Sequence, residues 1–96
     1  MTAVYLVCYD IADPKRLRKV HVATEDRGAR LQYSVYQCEL SRMQLAVLIA
    51  DLEDLINHDE DQVLIVHLGP REETTLDRFQ ALGRPYISPV HRSCVV

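Results

Sequence analysis

The sequence predicts an α+β fold: a ferredoxin-like βαββαβ sandwich, two helices on one face of an antiparallel sheet, over a single domain spanning residues 1–96. Three observations predict it. Residues 3–9 are a continuous apolar run of β-formers, too short for a buried helix and suited to a central strand. Residues 30–40 are strand-like throughout and are followed by a clean amphipathic helical pattern. A second core strand, residues 62–68, comes after that helix.

The elements follow in order. Asp10 ends the first strand. Asp13-Pro14 is an N-cap residue with proline at the first helical position, and it opens a helix to about Asp26. Leu17, Val20 and Thr24 give that helix a thin inward stripe, and Gly28 sits where a C′ glycine would stop it. Residues 30–40 read better as two strands broken near Ser34 than as one. A single strand would run the next strand parallel to the first and leave the chain's last strand unexplained. Ser41 and Gln44 form a capping box. Leu45, Leu48, Ile49, Leu52, Leu55 and Ile56 carry the second helix to about Asn57, with Asp51, Glu53 and Asp54 off the stripe. Gly69-Pro70 breaks the strand of residues 62–68, and residues 78–82 form a weaker strand closed by Gly83-Arg84-Pro85. The tail, residues 90–96, has strand propensity and no obvious place in the domain, so it is expected to add to a partner's sheet.

Composition narrows the class. The chain is 48% hydrophobic and 26% charged, which suits an ordinary globular domain. It holds no apolar stretch of the roughly 18–20 residues a membrane span needs and no secretion signal. With Cys8, Cys38 and Cys94 read as reduced thiols, the expected location is cytoplasmic. The four histidines lack zinc-ligand spacing. The net charge of −3 argues against a generic nucleic-acid binder, but the charge is uneven. Lys15, Arg16, Arg18, Lys19, Arg27 and Arg30 lie close together, opposed only by Glu25 and Asp26. Asp51, Glu53, Asp54, Asp59, Glu60 and Asp61 form an acidic block.

The sharpest feature is Asp10 at the end of the first strand. A carboxylate there is either a metal or acid–base group or a turn aspartate bonding local backbone. One carboxylate is a thin site for a hard divalent cation. A twofold dimer would bring a second Asp10 to the axis, and a phosphodiester would complete the set. Arg16, Arg18 and Arg30 lie near Asp10 in this fold and suit phosphate, or else serve solubility and pairing with Glu25 and Asp26. Tyr5, Tyr9, Tyr33 and Tyr36 fit a core or interface role better than base stacking, since none sits in the glycine-aromatic context of an RNA-recognition module.

Two long strings carry a family resemblance. Residues 5–20, with Tyr9-Asp10-Ile11-Ala12-Asp13-Pro14-Lys15-Arg16 at their centre, and residues 28–40, with Gln32-Tyr33-Ser34-Val35-Tyr36-Gln37, resemble the Cas-two family of CRISPR-associated proteins. Asp59-Glu60-Asp61 before the next strand is similar too. The resemblance is strong over residues 3–68 and only general after Gly69. It implies a homodimer whose C-terminal strand crosses to the partner. It implies a Mg²⁺-dependent endonuclease, Mn²⁺ serving as well, that acts on RNA or double-stranded DNA, with Asp10 from each subunit as catalytic group and metal ligand. It also implies a role in spacer acquisition, bridging dimers of the CRISPR integrase. Within the family the alternative is a catalytically idle DNA-holding scaffold; a toxin ribonuclease of ferredoxin-like fold is a more distant one. The family often has phenylalanine at Tyr36 and glutamate at Gln37, usually an aromatic near Arg27 and a basic or apolar residue near His21; none of these departures touches Asp10.

Overall fold

The computed structural model describes residues 1–71 and 78–86. Six elements run in the order β1 (Ala3–Asp10), α1 (Pro14–Glu25), β2 (Gly28–Gln32), β3 (Val35–Leu40), α2 (Arg42–Leu55) and β4 (Gln62–Pro70). They build one antiparallel sheet in the order β2-β3-β1-β4. The expected βαββαβ pattern is present, and residues 30–40 do divide at the turn of Tyr33 and Ser34.

The period-two alternation of β1 sets the layers. Tyr5, Val7 and Tyr9 point toward the helices and join Tyr36, Cys38 and Leu40 of β3 in the core. Val20 and Thr24 of α1, with Leu48 and Leu52 of α2, close it from above. Thr24 is fully buried, and its hydroxyl donates to the Val20 carbonyl at 2.7 Å, so no polar atom is stranded there. Burial pushes the Cys38 thiol up to about 11, which keeps it protonated at neutral pH. Leu6, Cys8 and Asp10 take the opposite parity and lie on the sheet's other face, with Leu64 and Val66 of β4 paired beside them.

Both helix starts are as the sequence predicts. The Asp13 carboxylate accepts from the Arg16 amide at 2.9 Å. At α2 the Gln44 amide donates to Ser41 Oγ at 3.1 Å, and the Ser41 amide donates to Gln44 Oε1 at 2.8 Å.

Three expectations are corrected. Gly28 is not a left-handed cap: α1 ends at Asp26 in right-handed geometry, and Gly28 opens β2 without a positive φ. Glycine is required there because a Cβ would fall 2.6 Å from the Gln37 carbonyl oxygen and onto the Cys38 sulfur. Gly69-Pro70 does not break β4. Leu68 is the extra residue of a bulge, and Gly69, at φ +124°, carries the strand past it to Pro70, on an edge strand where proline is tolerated. Residues 78–82 are not a strand. Phe79 and Tyr86 stack with ring centroids 4.2 Å apart, and the Tyr86 hydroxyl donates to Gln37 Oε1 at 2.7 Å. That folds the segment over the open sheet face, above a cleft of about 690 Å³ lined by Leu6, Val35 and Arg84 among others, instead of along a sheet edge. The tail at residues 90–96 lies outside the described residues.

Two stability measurements test these assignments. Gly28→Ala should cost roughly 1–3 kcal/mol in urea denaturation, because the neighbour it strikes is backbone. Ser41→Ala should cost about 1 kcal/mol, with Ser41→Asp recovering most of it.

Candidate active site and nucleic-acid interface

Three loops meet at the C-terminal end of β1. The Tyr9 amide donates to the Ser34 carbonyl at 3.1 Å, which brings the β2–β3 turn against this end. Asp10 pairs with Gln62, so the loop before β4 arrives on the other side. Between them runs the Ile11–Asp13 connection into α1.

Asp61 ties two of these loops together. Its carboxylate accepts from the Ala12 amide at 2.9 Å, the Asn57 amide at 2.8 Å, Arg16 Nε at 2.8 Å and Arg16 Nη2 at 3.2 Å. The side chain has no exposed surface. Arg16 foremost, then the two amides, hold its carboxyl well below the usual carboxylate range, against the opposing effect of burial. Glu60 adds a second contact to Arg16 at 3.0 Å. Asn57 shapes the loop by accepting from the Asp59 and Glu60 amides through its own side chain.

The predicted site residues separate. Asp10 is exposed on the open face, and none of the described hydrogen bonds or ion pairs engages its carboxylate. Arg16 faces the acidic loop and is committed to it. Its partners are Asp61 and Glu60, forty-odd positions along the chain, and not Glu25 or Asp26. Arg27 is also engaged, by Asp51 at 2.7 Å across the two helices. Arg18 is exposed on α1 and enters none of the described ion pairs. Arg30 is exposed on β2, its guanidinium 5.4 Å from the Tyr33 ring centroid.

Sequence reading missed two features. One is the Asp61 clamp; an aspartate directly before a strand was visible, but its partners at residues 12 and 16 were not. The other is a polar aromatic cluster where α1 crosses the sheet. The Tyr9 hydroxyl lies in hydrogen-bond contact with His21 Nδ1, and the Tyr36 hydroxyl donates to Glu25 Oε1 at 3.0 Å. Burial above all, then the neighbouring Tyr36, raises the Tyr9 phenol; burial, then Glu25, raises Tyr36. Both rings stay neutral.

Among the described residues no three or more His, Cys, Asp or Glu side chains come together as a metal cluster. Asp13 caps α1 and Asp61 holds Arg16, which leaves the exposed carboxylates of Asp10 and, in the loop before β4, Asp59 without a described partner at this end.

A βαββαβ order with two helices on one face of a four-stranded antiparallel sheet defines a small ferredoxin-like α+β protein, here with an exposed carboxylate at the end of an interior strand. The chain belongs to the CRISPR associated protein Cas2 family, whose model matches residues 2–75. It is 34% identical over 96 residues to the CRISPR-associated endoribonuclease Cas2 of Geobacter sulfurreducens, covering 100% of this chain and 99% of that one. A CRISPR-associated endoribonuclease Cas2 of Rhodospirillum rubrum is 40% identical over 82 residues, covering 85% of this chain and 79% of its own. The crystal structure of Streptococcus pyogenes Cas2 superposes with a TM-score of 0.73 at 29% identity, covering 83% of this chain and 99% of that one. A CRISPR-associated role follows from the family, and nuclease activity is what its named relatives share. Among the described residues no helix is long and apolar enough to cross a membrane.

The clamp fixes a pH dependence. Asp61 has a folded-state pKa below its unfolded value, so its stabilisation is complete above roughly pH 5 and is lost as pH falls through about 4 and below. Thermal unfolding between about pH 3 and 7 should show wild type losing stability on acidification. Asp61→Asn should be less stable at pH 7 and lose less on acidification, whereas Asp59→Asn, at an exposed position, should track wild type.

Proposed function

We propose that this protein is a divalent-cation-dependent endonuclease acting on RNA or double-stranded DNA in CRISPR adaptation, as a homodimer with one Asp10 from each subunit at its twofold. The single observation that carries the reading is the exposed Asp10 carboxylate, unengaged at the end of an interior strand beside Asp13 and Asp61, which are committed to the α1 cap and to Arg16. The relatives' endoribonuclease name supports the same class of reaction.

The open sheet face supports the dimer. Leu64 and Val66 lie there 53% and 44% exposed, beside Leu6 and Cys8. A second copy packed on that face would bury them, and Asp10 lies at the end of the same face. A hard oxygen donor set suits Mg²⁺ or Mn²⁺: two Asp10 carboxylates, with waters and phosphate oxygens completing the shell. Such a cation, when bound, supplies Lewis acidity toward the phosphodiester. The protein's own part is positional. Asp61 fixes the Ile11–Asp13 connection through the Ala12 amide and holds Arg16 in place. Arg18 and Arg30 offer guanidinium groups to phosphates on either side of the scissile bond. Bridging of integrase dimers belongs to the same reading, with the tail after Pro89 and the acidic residues of α2 as the candidate contacts.

Labelled RNA and double-stranded DNA, incubated with Mg²⁺ or Mn²⁺ or with chelator, test the activity. Wild type should cut only with metal, and Asp10→Ala, verified as a dimer by light scattering, should lose roughly 100-fold or more of the rate. Equal cutting by both proteins, or none by either, would remove Asp10 from catalysis and leave a scaffold that holds DNA for the integrase.

A further inference from the structure

Of the four tyrosines between residues 5 and 36, three are buried or nearly so: Tyr5 is 8% exposed, Tyr9 6% and Tyr36 0%. Tyr33 is 63% exposed. It lies in the β2–β3 turn next to Ser34, whose carbonyl receives the Tyr9 amide, and so stands at the same end of the sheet as Asp10. The ring is held from two sides. The Arg30 guanidinium lies 5.4 Å from its centroid, and His21 meets it edge-on with centroids 5.4 Å apart and planes at 81°. His21 is itself anchored by contact with the Tyr9 hydroxyl. An exposed ring has little reason to be so fixed for stability, since it buries little area.

We infer that Tyr33 is a stacking platform for one unpaired nucleobase of a single-stranded RNA or DNA, with Arg30 and Arg18 binding the phosphates beside it. The inference rests on the nucleic-acid reading above and adds to it the residue that recognises a base. The chemistry follows from the neighbours. Arg30 makes the platform cationic and pre-orders the ring, which lowers the entropy lost on stacking. Arg18, three residues before His21 on α1, lies on the same helix face and extends the positive charge past the ring. Glu25, the nearby acid on α1, is engaged by the Tyr36 hydroxyl. A base inside a duplex has no free face to offer, so the platform selects unpaired nucleotides.

Fluorescence anisotropy with short labelled strands, in chelator to prevent cleavage, tests this. The probes are single-stranded RNA, single-stranded DNA, a duplex, and a single strand carrying one abasic position at each site in turn. Tyr33→Ala, with its fold checked by circular dichroism, should weaken single-strand binding roughly 5- to 150-fold, the worth of one stacked base. It should leave duplex binding near wild type. Tyr33→Phe should bind single strands as wild type does, and one abasic placement should weaken wild type while leaving Tyr33→Ala unchanged. Equal loss on RNA and DNA assigns the site to any unpaired base; loss on one alone narrows it to that strand. Unchanged single-strand affinity in Tyr33→Ala, or a loss in Tyr33→Phe as large as in Tyr33→Ala, overturns the platform. Wild type that binds nucleic acid while Tyr33→Ala behaves identically on every probe defeats the platform alone. Wild type that binds none of the probes defeats both this inference and the nucleic-acid reading beneath it.

Discussion

One buried carboxylate organises the functional end of this fold. Asp61 takes two hydrogen bonds from the Arg16 guanidinium and one each from the amides of Ala12 and Asn57. The side chain is sealed from solvent, so these bonds are hard to exchange for water, and leaving any donor unpaired there carries a desolvation penalty. The result is a fixed relation between the strand that ends in Asp10, the helix that begins at Pro14 and the loop that leads into β4. Without it the Ile11–Asp13 connection would be held by the packing of Ile11 against the core and by the Asp13 cap.

The clamp also redistributes charge. The basic segment of α1 looks, along the chain, like a continuous phosphate-binding surface. In the fold Arg16 is neutralised by Asp61 and Glu60, and Arg27 by Asp51. What remains of that segment is Lys15, Arg18 and Lys19 on α1, exposed and in none of the described ion pairs, and Arg30 on β2, at the corner where Tyr33 is exposed. A chain with net charge −3 can therefore present a local cationic corner, because many of its acids lie in the loop before β4 and on α2 while Arg18 and Arg30 enter none of the described ion pairs.

The sheet divides the labour between its faces. The helix-covered face carries the apolar core, with a tyrosine–histidine–glutamate cluster at its rim. The open face carries Asp10, the apolar side chains of Leu6, Leu64 and Val66, and the Gln37 amide held by Tyr86. An uncharged amide at position 37 suits that place: it is 5% exposed and has one hydroxyl donor, which a buried carboxylate would accept only at a greater desolvation cost.

Local physics was legible in the sequence wherever the partners are close along the chain. The Asp13 and Ser41 caps join residues three apart, the stripe of α2 is periodic, and β1 is an unbroken run of β-formers; each needs only short-range chemistry, and each stands where it was read. Asp10 at the strand end was legible for the same reason, since alternation along eight residues fixes its face. What the sequence did not reveal depends on pairs brought together from far apart. Arg16 meets Asp61 across 45 positions, Tyr86 meets Gln37 across 49, and Gly28 is needed because of Cys38 in another strand. Pattern and propensity carry no information about such pairs. Only the assembled sheet, which sets β4 beside β1 and β2 beside β3, decides that one arginine is consumed by a clamp and that one of the four tyrosines between residues 5 and 36 is left facing solvent.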